Sequence, residues 1–198
     1  MSSTGASPGV DLLWIPLGAG SSLPVVRWNG RAYEALVARR ERRSRRDLYH
    51  AALEVGAFGA RFVVEMTPAW GSTHTAEGAV ASGPVGAPFL GRWSLFRYEV
   101  HCWRGGVIPD RDFAAGGAQV LTEDEAVARQ VLDLVPTFPT ATWGRDELGT
   151  GDMWNSNSLI AWLLTRAGFA AVDLAPPAHG RAPGWTAGLS VANRPAAS

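Results

Sequence analysis

The chain has 198 residues, 46% of them apolar and nine of them Trp, and its 18 basic residues balance 18 acidic ones. A chain of this size and composition can bury one full core without covalent staples, and zero net charge gives it no overall attraction to nucleic acid or to an anionic membrane. Every basic residue is Arg, which excludes Schiff-base chemistry and lysine phosphate cradles.

Cys102 is the single cysteine, so no internal disulfide forms. With His50, His74, His101 and His179 scattered along the chain it offers no zinc-ligand spacing, so no metal and no other cofactor is expected. The opening MSSTGASPGV lacks a basic region followed by an apolar stretch, and no apolar run approaches the ~20 residues that span a bilayer. The expectation is a cytoplasmic protein with no membrane span, with nucleic acid an unlikely partner. The oligomeric state is not legible.

Residues 1–10 are small and polar and read as a disordered tail, leaving 11–194 as one domain. Asp11 to Leu17 reads as an edge strand. Val25 to Tyr33, around Asn29-Gly30, reads as a hairpin or a turn into a helix. Six Arg fill eight positions from Arg39 to Arg46, either a solvated face or an anion-binding patch. Leu48 to Val55 and Ala60 to Met66 alternate as two strands of a hairpin. Residues 71–91, rich in Gly, Pro, Ser and Ala, read as a long loop, and Arg92 to Trp103 is the strongest strand signal.

Thr122 and Glu125 have capping-box spacing before a helix that stops at Pro136. Trp143 to Asp152 is a polar, Gly-rich stretch. A second helix, apolar on most sides and therefore central, runs from Asn155 to Gly168. Gly188 to Ala192 reads as a last strand. The fold class is α+β, with a central antiparallel sheet from the 48–55, 60–66 and 92–103 strands packed on the late helix.

Chemistry concentrates in Trp154-Asn155-Ser156-Asn157-Ser158. The first turn of a buried helix presents free N–H groups and the positive end of the dipole, which stabilise an oxyanion; Ser and Asn are also ordinary N-caps. His50 lies in a strand beside the small pair Ala51-Ala52. Glu65, between apolar neighbours on the next strand, needs a partner if buried and can face His50 across the hairpin. Glu54 is the rival carboxylate, sharing the parity of His50. Cys102, in an aromatic strand, reads as a small buried hydrophobe.

The order Tyr49-His50-Ala51-Ala52-Leu53, Val64-Glu65-Met66 and Trp154 to Gly168 resembles the circularly permuted papain-like hydrolases, the NlpC-type group that includes lecithin retinol acyltransferase. The resemblance covers roughly residues 48–168 and rests on short motifs. It implies His50 as general base, Glu65 as its orienting group and Ser156 at the nucleophile position, with the Ser156 N–H in the oxyanion hole and Asn155 or Asn157 as a further donor. Trp154, Arg145 and Trp185 are candidate substrate contacts, with 176–185 as a lid or as a strap over the core.

That family uses cysteine where this chain has Ser156. The serine is native and activated by His50, or it is a silencing substitution, or the domain has lost catalysis and kept a binding role. The expected activity is hydrolysis or transfer at an acyl bond of a small-molecule, peptide or lipid substrate. The alternatives are a binding domain that keeps the cleft and an anion-binding accessory protein using the Arg run.

Overall fold

The computed structural model describes residues 6–19, 39, 42, 44, 46–69, 78–108, 110–177 and 180–195. The 25–33 hairpin, His74 and His179, and most of the 39–46 Arg run lie outside them.

The fold is mixed α/β: among the described residues, one mainly antiparallel sheet with three helices. The strands are β1 (Gly9–Pro16), β2 (Asp47–Ala57), β3 (Ala60–Pro68), β4 (Ala79–Pro84), β5 (Arg97–Arg104), β6 (Ala118–Thr122) and β7 (Gly180–Arg181). The order is β4-β5-β3-β2-β1-β6, and the two residues of β7 join the start of β2 in parallel. The helices are α1 (Glu125–Leu134), α2 (Ser156–Arg166) and α3 (Trp185–Ala192).

Alternation along the strands divides the side chains between two faces. Val10, Leu12, Trp14, Ala51, Leu53, Val55, Val64, Met66, Tyr98 and Val100 form the main core with all three helices. Leu13, Ile15, Ala52 and Val63 point the other way and form a smaller core with Ile108. Residues 156–164 of α2 are all buried. At roughly 1.5–3 kcal/mol for each large apolar side chain taken from water, α2 is the main organiser of the front core.

Several expectations are corrected. The N-terminal strand starts at Gly9, inside the expected tail, and is not an edge: it lies between β2 and β6. Apart from Asp11, its residues are apolar on both faces because both faces are covered. β5 begins only at Arg97, because β4 ends opposite it at Pro84 and the preceding residues form tight turns at 88–92 and 94–96. β4 itself was hidden by its small residues, which packing requires. A Cβ at Gly83 would lie 2.4 Å from the Tyr98 hydroxyl.

The Thr122–Glu125 capping box does not form. Asp124 is the N-cap and accepts the Ala126 N–H at 2.7 Å, while Glu125 accepts the Phe58 N–H at 2.9 Å and pairs with Arg129. The expected strand at 188–192 belongs to α3. Gly188 lets that helix approach α2 closely: a Cβ there would sit 2.3 Å from the Ser158 carbonyl and 2.8 Å from Ala161 Cβ.

Candidate functional site

The start of α2 is fastened by nearly every polar group in the Asn-Ser-Asn-Ser stretch. Asn155 is the N-cap: its Oδ1 accepts the N–H groups of Asn157 and Ser158, and Ser158 Oγ accepts the Asn155 N–H in return. Asn155 Nδ2 donates to the Pro183 carbonyl at 2.8 Å, and Ser158 Oγ donates to the Gly184 carbonyl at 2.8 Å. Asp152 Oδ2 accepts the Gly184 N–H at 2.8 Å. Gly184 has φ +88° and faces the Asn155 amide so closely that a Cβ would lie 2.3 Å from Oδ1.

Asn157 makes the connection to the sheet. Its Oδ1 accepts the Ala51 N–H at 2.8 Å, and its Nδ2 donates to the Tyr49 carbonyl at 3.0 Å and the Pro183 carbonyl at 2.8 Å. These bonds reach β2 where β3 has left it, since the β2–β3 ladder ends at Leu53 and Val64. The Asn157 amide thus stands in for a strand residue and brackets His50.

Ser156 is the exception in this stretch. It is 8% exposed, and among the described residues neither its hydroxyl nor its N–H has a hydrogen-bond partner. Asn155 and Asn157, expected as oxyanion donors, have their side-chain N–H groups committed to backbone carbonyls. The free donor at this helix start is the Ser156 N–H.

His50 is partly buried, pairs with Ile15 in the β1–β2 ladder, and points to the face away from Ala51 and Leu53. Its ring makes no hydrogen bond among the described residues, to Ser156 or to any other group. Desolvation of the ring pulls its pKa from 6.5 to about 4.

Glu65 shares the His50 face. Carried one step past the last ladder pair, the register sets it opposite Ala52, diagonal to His50. It is 6% exposed, and burial, with a smaller push from Asp110, raises its pKa to about 7. The rival Glu54 is engaged elsewhere: Arg111 Nε and Nη2 donate to its two oxygens at 2.7 and 3.0 Å, and Arg61 lies 3.5 Å away. That ion cluster lines a cavity of about 360 Å³ together with Asp11 and Glu123.

The remaining candidates hold structure together. Trp154 is 1% exposed and stacks on Phe138 with ring centroids 4.9 Å apart. Trp185, expected as a ligand contact on a lid, is 8% exposed, packs on Trp14 and donates its Nε1–H to the Ala171 carbonyl at 3.1 Å. Arg145 is exposed and donates to the Gly86 carbonyl at 2.6 Å. The proposed lid is tied to β2 through β7 and to α2 through Pro183 and Gly184.

His101 was passed over in the sequence for want of ligand spacing. It stands directly opposite Glu65 in the β3–β5 ladder, is fully buried, and has no hydrogen bond at either ring nitrogen. Burial lowers its pKa, while Glu99 opposes the shift. The signal available in the sequence was parity: Glu99, His101 and Trp103 alternate with Tyr98, Val100 and Cys102. Among the described residues, no helix is long and apolar enough to cross a membrane, and no three His, Cys, Asp or Glu side chains are arranged to hold a metal ion. Comparison of the chain with family models, curated proteins and solved structures returned no match.

Proposed function

We propose that this domain is a hydrolase or acyltransferase of the permuted papain-like type, acting on an acyl bond through Ser156 and His50 as a cytoplasmic enzyme without a cofactor. The observation that carries the reading is the Asn157 clamp. It fastens the helix start bearing Ser156 to the two backbone groups on either side of His50.

In this reading Ser156 Oγ attacks the acyl carbon and its proton passes to His50, whose ring lies on the sheet face turned away from α2, by way of the gap where β3 parts from β2 beyond Leu53; burial keeps the ring neutral at pH 7 and therefore able to accept a proton. The Ser156 N–H and the positive end of α2 stabilise the oxyanion. The proton then goes from His50 to the leaving group. Water, an amine or an alcohol resolves the acyl-enzyme, returning the proton to Ser156. A base with a pKa about 4 is weak, which favours small-molecule, peptide or lipid substrates with good leaving groups, such as activated esters and thioesters. Glu65, when ionised, raises the proton affinity of His50 and orients the ring.

A fluorophosphonate or activated-ester probe tests this. Labelling of Ser156 that is lost in Ser156→Ala and strongly reduced in His50→Ala supports the proposal. No labelling between pH 6 and 9 overturns it. A second reading, binding without chemistry, is favoured by the lack of a hydrogen bond between Ser156 and His50 and by the His50 side chain lying on the sheet face turned away from α2. It predicts no labelling, with ligand capture unaffected by Ser156→Ala.

A further inference from the structure

The stretch 88–96, which joins the edge strand β4 to β5, makes two tight turns and leaves Phe89, Trp93, Leu95 and Phe96 exposed. Single apolar residues at a surface are ordinary, but four within eight positions form a patch that calls for a partner. Phe89, Trp93 and Leu95 are 61%, 50% and 58% exposed, so they stand out from the surface and do not line a groove. The backbone behind them is closed on itself. The N–H groups of Leu90, Trp93 and Phe96 donate to the carbonyls of Ala87, Leu90 and Trp93, each at 3.0 Å, and the Val85 N–H donates to the Phe96 carbonyl at 2.8 Å. The stretch can therefore leave bulk water with few orphaned backbone groups. Its charge has one sign: from Gly78 to Tyr98 the chain has Arg92 and Arg97 and no Asp or Glu. Arg92 lies 5.1 Å from the Trp93 ring centroid and donates its Nε–H to the Phe89 carbonyl, and Arg97 donates its Nε–H to Ser82 Oγ. Among the described residues neither guanidinium pairs with a carboxylate.

We propose that this stretch anchors the domain to an anionic phospholipid surface: Phe89, Trp93, Leu95 and Phe96 enter the headgroup region and the upper acyl chains, and Arg92 and Arg97 take the lipid phosphates. Aromatic rings settle at that boundary, and Arg meets phosphate with paired, planar donors. A protruding apolar cluster suits a fluid medium that deforms around it, whereas a protein partner would need a formed pocket for each ring. Zero net charge on the whole chain does not oppose this, because charges more than about 10 Å away are screened at ~0.1 M salt. Anchoring is peripheral and reversible, since it rests on a few side chains and on no membrane-crossing helix among the described residues. It needs neither Ser156 nor His50 and stands apart from the acyl-transfer reading.

Co-sedimentation of the full chain with phosphatidylcholine vesicles containing about 30 mol% phosphatidylserine tests this. The wild type should pellet with them, pellet far less with pure phosphatidylcholine, and be released as salt rises toward ~1 M, where screening sets in within about 3 Å. Trp93→Ser combined with Leu95→Ser should weaken binding roughly tenfold or more, through lost apolar burial. Arg92→Gln combined with Arg97→Gln should weaken it by a similar roughly tenfold factor on the anionic vesicles and hardly at all on the neutral ones. All four side chains are exposed, so both double variants should melt with the wild type. If either does not fold, the wild type on the two vesicle compositions decides alone. A wild type that stays in the supernatant, that pellets equally with neutral lipid, or whose binding is unmoved in both folded variants overturns the proposal. A dimer in solution that Trp93→Ser with Leu95→Ser breaks, without pelleting, overturns it in favour of a second copy of the chain. Vesicle binding is read without turnover, so it stands or falls separately from probe labelling of Ser156.

Discussion

Asn157 and Ala51 are 106 positions apart in the chain, and a 2.8 Å hydrogen bond joins the side chain of one to the backbone N–H of the other. With the bond from Nδ2 to Tyr49, this amide satisfies two backbone groups that would otherwise be orphaned beside a parted strand pair, and it shares the Pro183 carbonyl with Asn155. Asn157→Leu should destabilise the domain by about 2–4 kcal/mol, since the Ala51 N–H and the Tyr49 carbonyl lose their partner together. Denaturant unfolding measures this, and a loss below about 1 kcal/mol would mean that water replaces the amide and the clamp is dispensable.

Ser156 and Asn155 should separate function from architecture at adjacent positions. Among the described residues the Ser156 hydroxyl makes no hydrogen bond, so Ser156→Ala should change stability by less than about 0.5 kcal/mol. Asn155→Ala removes an N-cap, a capping box and the bond to Pro183, and should cost about 2 kcal/mol or more. Equal losses at the two positions would show that the serine is structural. Ser156→Cys adds a chemical readout. A thiol at this helix start should have a pKa below the usual ~8.5 and react rapidly with iodoacetamide. An ordinary rate would count against an anion-stabilising site.

Glu65 and His50 pull stability in opposite directions as pH changes. Glu65 is raised from 4.5 to about 7, so its contribution is full below pH 4.5 and is lost as pH rises through 7. His50 is lowered from 6.5 to about 4, so its contribution is full above pH 6.5 and is lost as pH falls through 4. Between pH 4.5 and 6.5 the two effects offset. Glu65→Gln leaves only the His50 effect. The stability of the variant minus that of the wild type should therefore grow from pH 4.5 to 7, by a few kcal/mol in order of magnitude, and then level off. A difference independent of pH would show that Glu65 is hydrated and not buried as an acid.

The sequence carried β2, β3 and α2 because their patterns are strong: alternation about a Gly turn, and an apolar run opened by Asn and Ser and closed at Gly168, which has φ +89°. It did not carry β4 or α3, because small residues there answer to Tyr98 and α2 and not to local propensity. For the site, parity put His50 and Glu65 on one face. Which asparagine N–H groups remain free is a tertiary fact, set by carbonyls at Tyr49 and Pro183 far away in the chain. His101 was missed for the same reason, since its partner is fixed by the β3–β5 register.

The Glu54 cluster should behave as a buried anion held by two unequal cations. Glu54 is 4% exposed, Arg111 grips it through two hydrogen bonds, and Arg61 lies at 3.5 Å without one. Arg111→Ala should cost about 2 kcal/mol, because it strips the bonded partner from a buried carboxylate while leaving a distant one. Arg61→Ala, which removes a half-exposed ion pair only, should cost less than about 1 kcal/mol. With both arginines gone the buried carboxylate keeps neither cation, so the double variant should lose more stability than the two single losses added together. Thermal unfolding of the four proteins reads this directly, and strictly additive losses would show that water entering the adjoining cavity, and not Arg111, solvates Glu54.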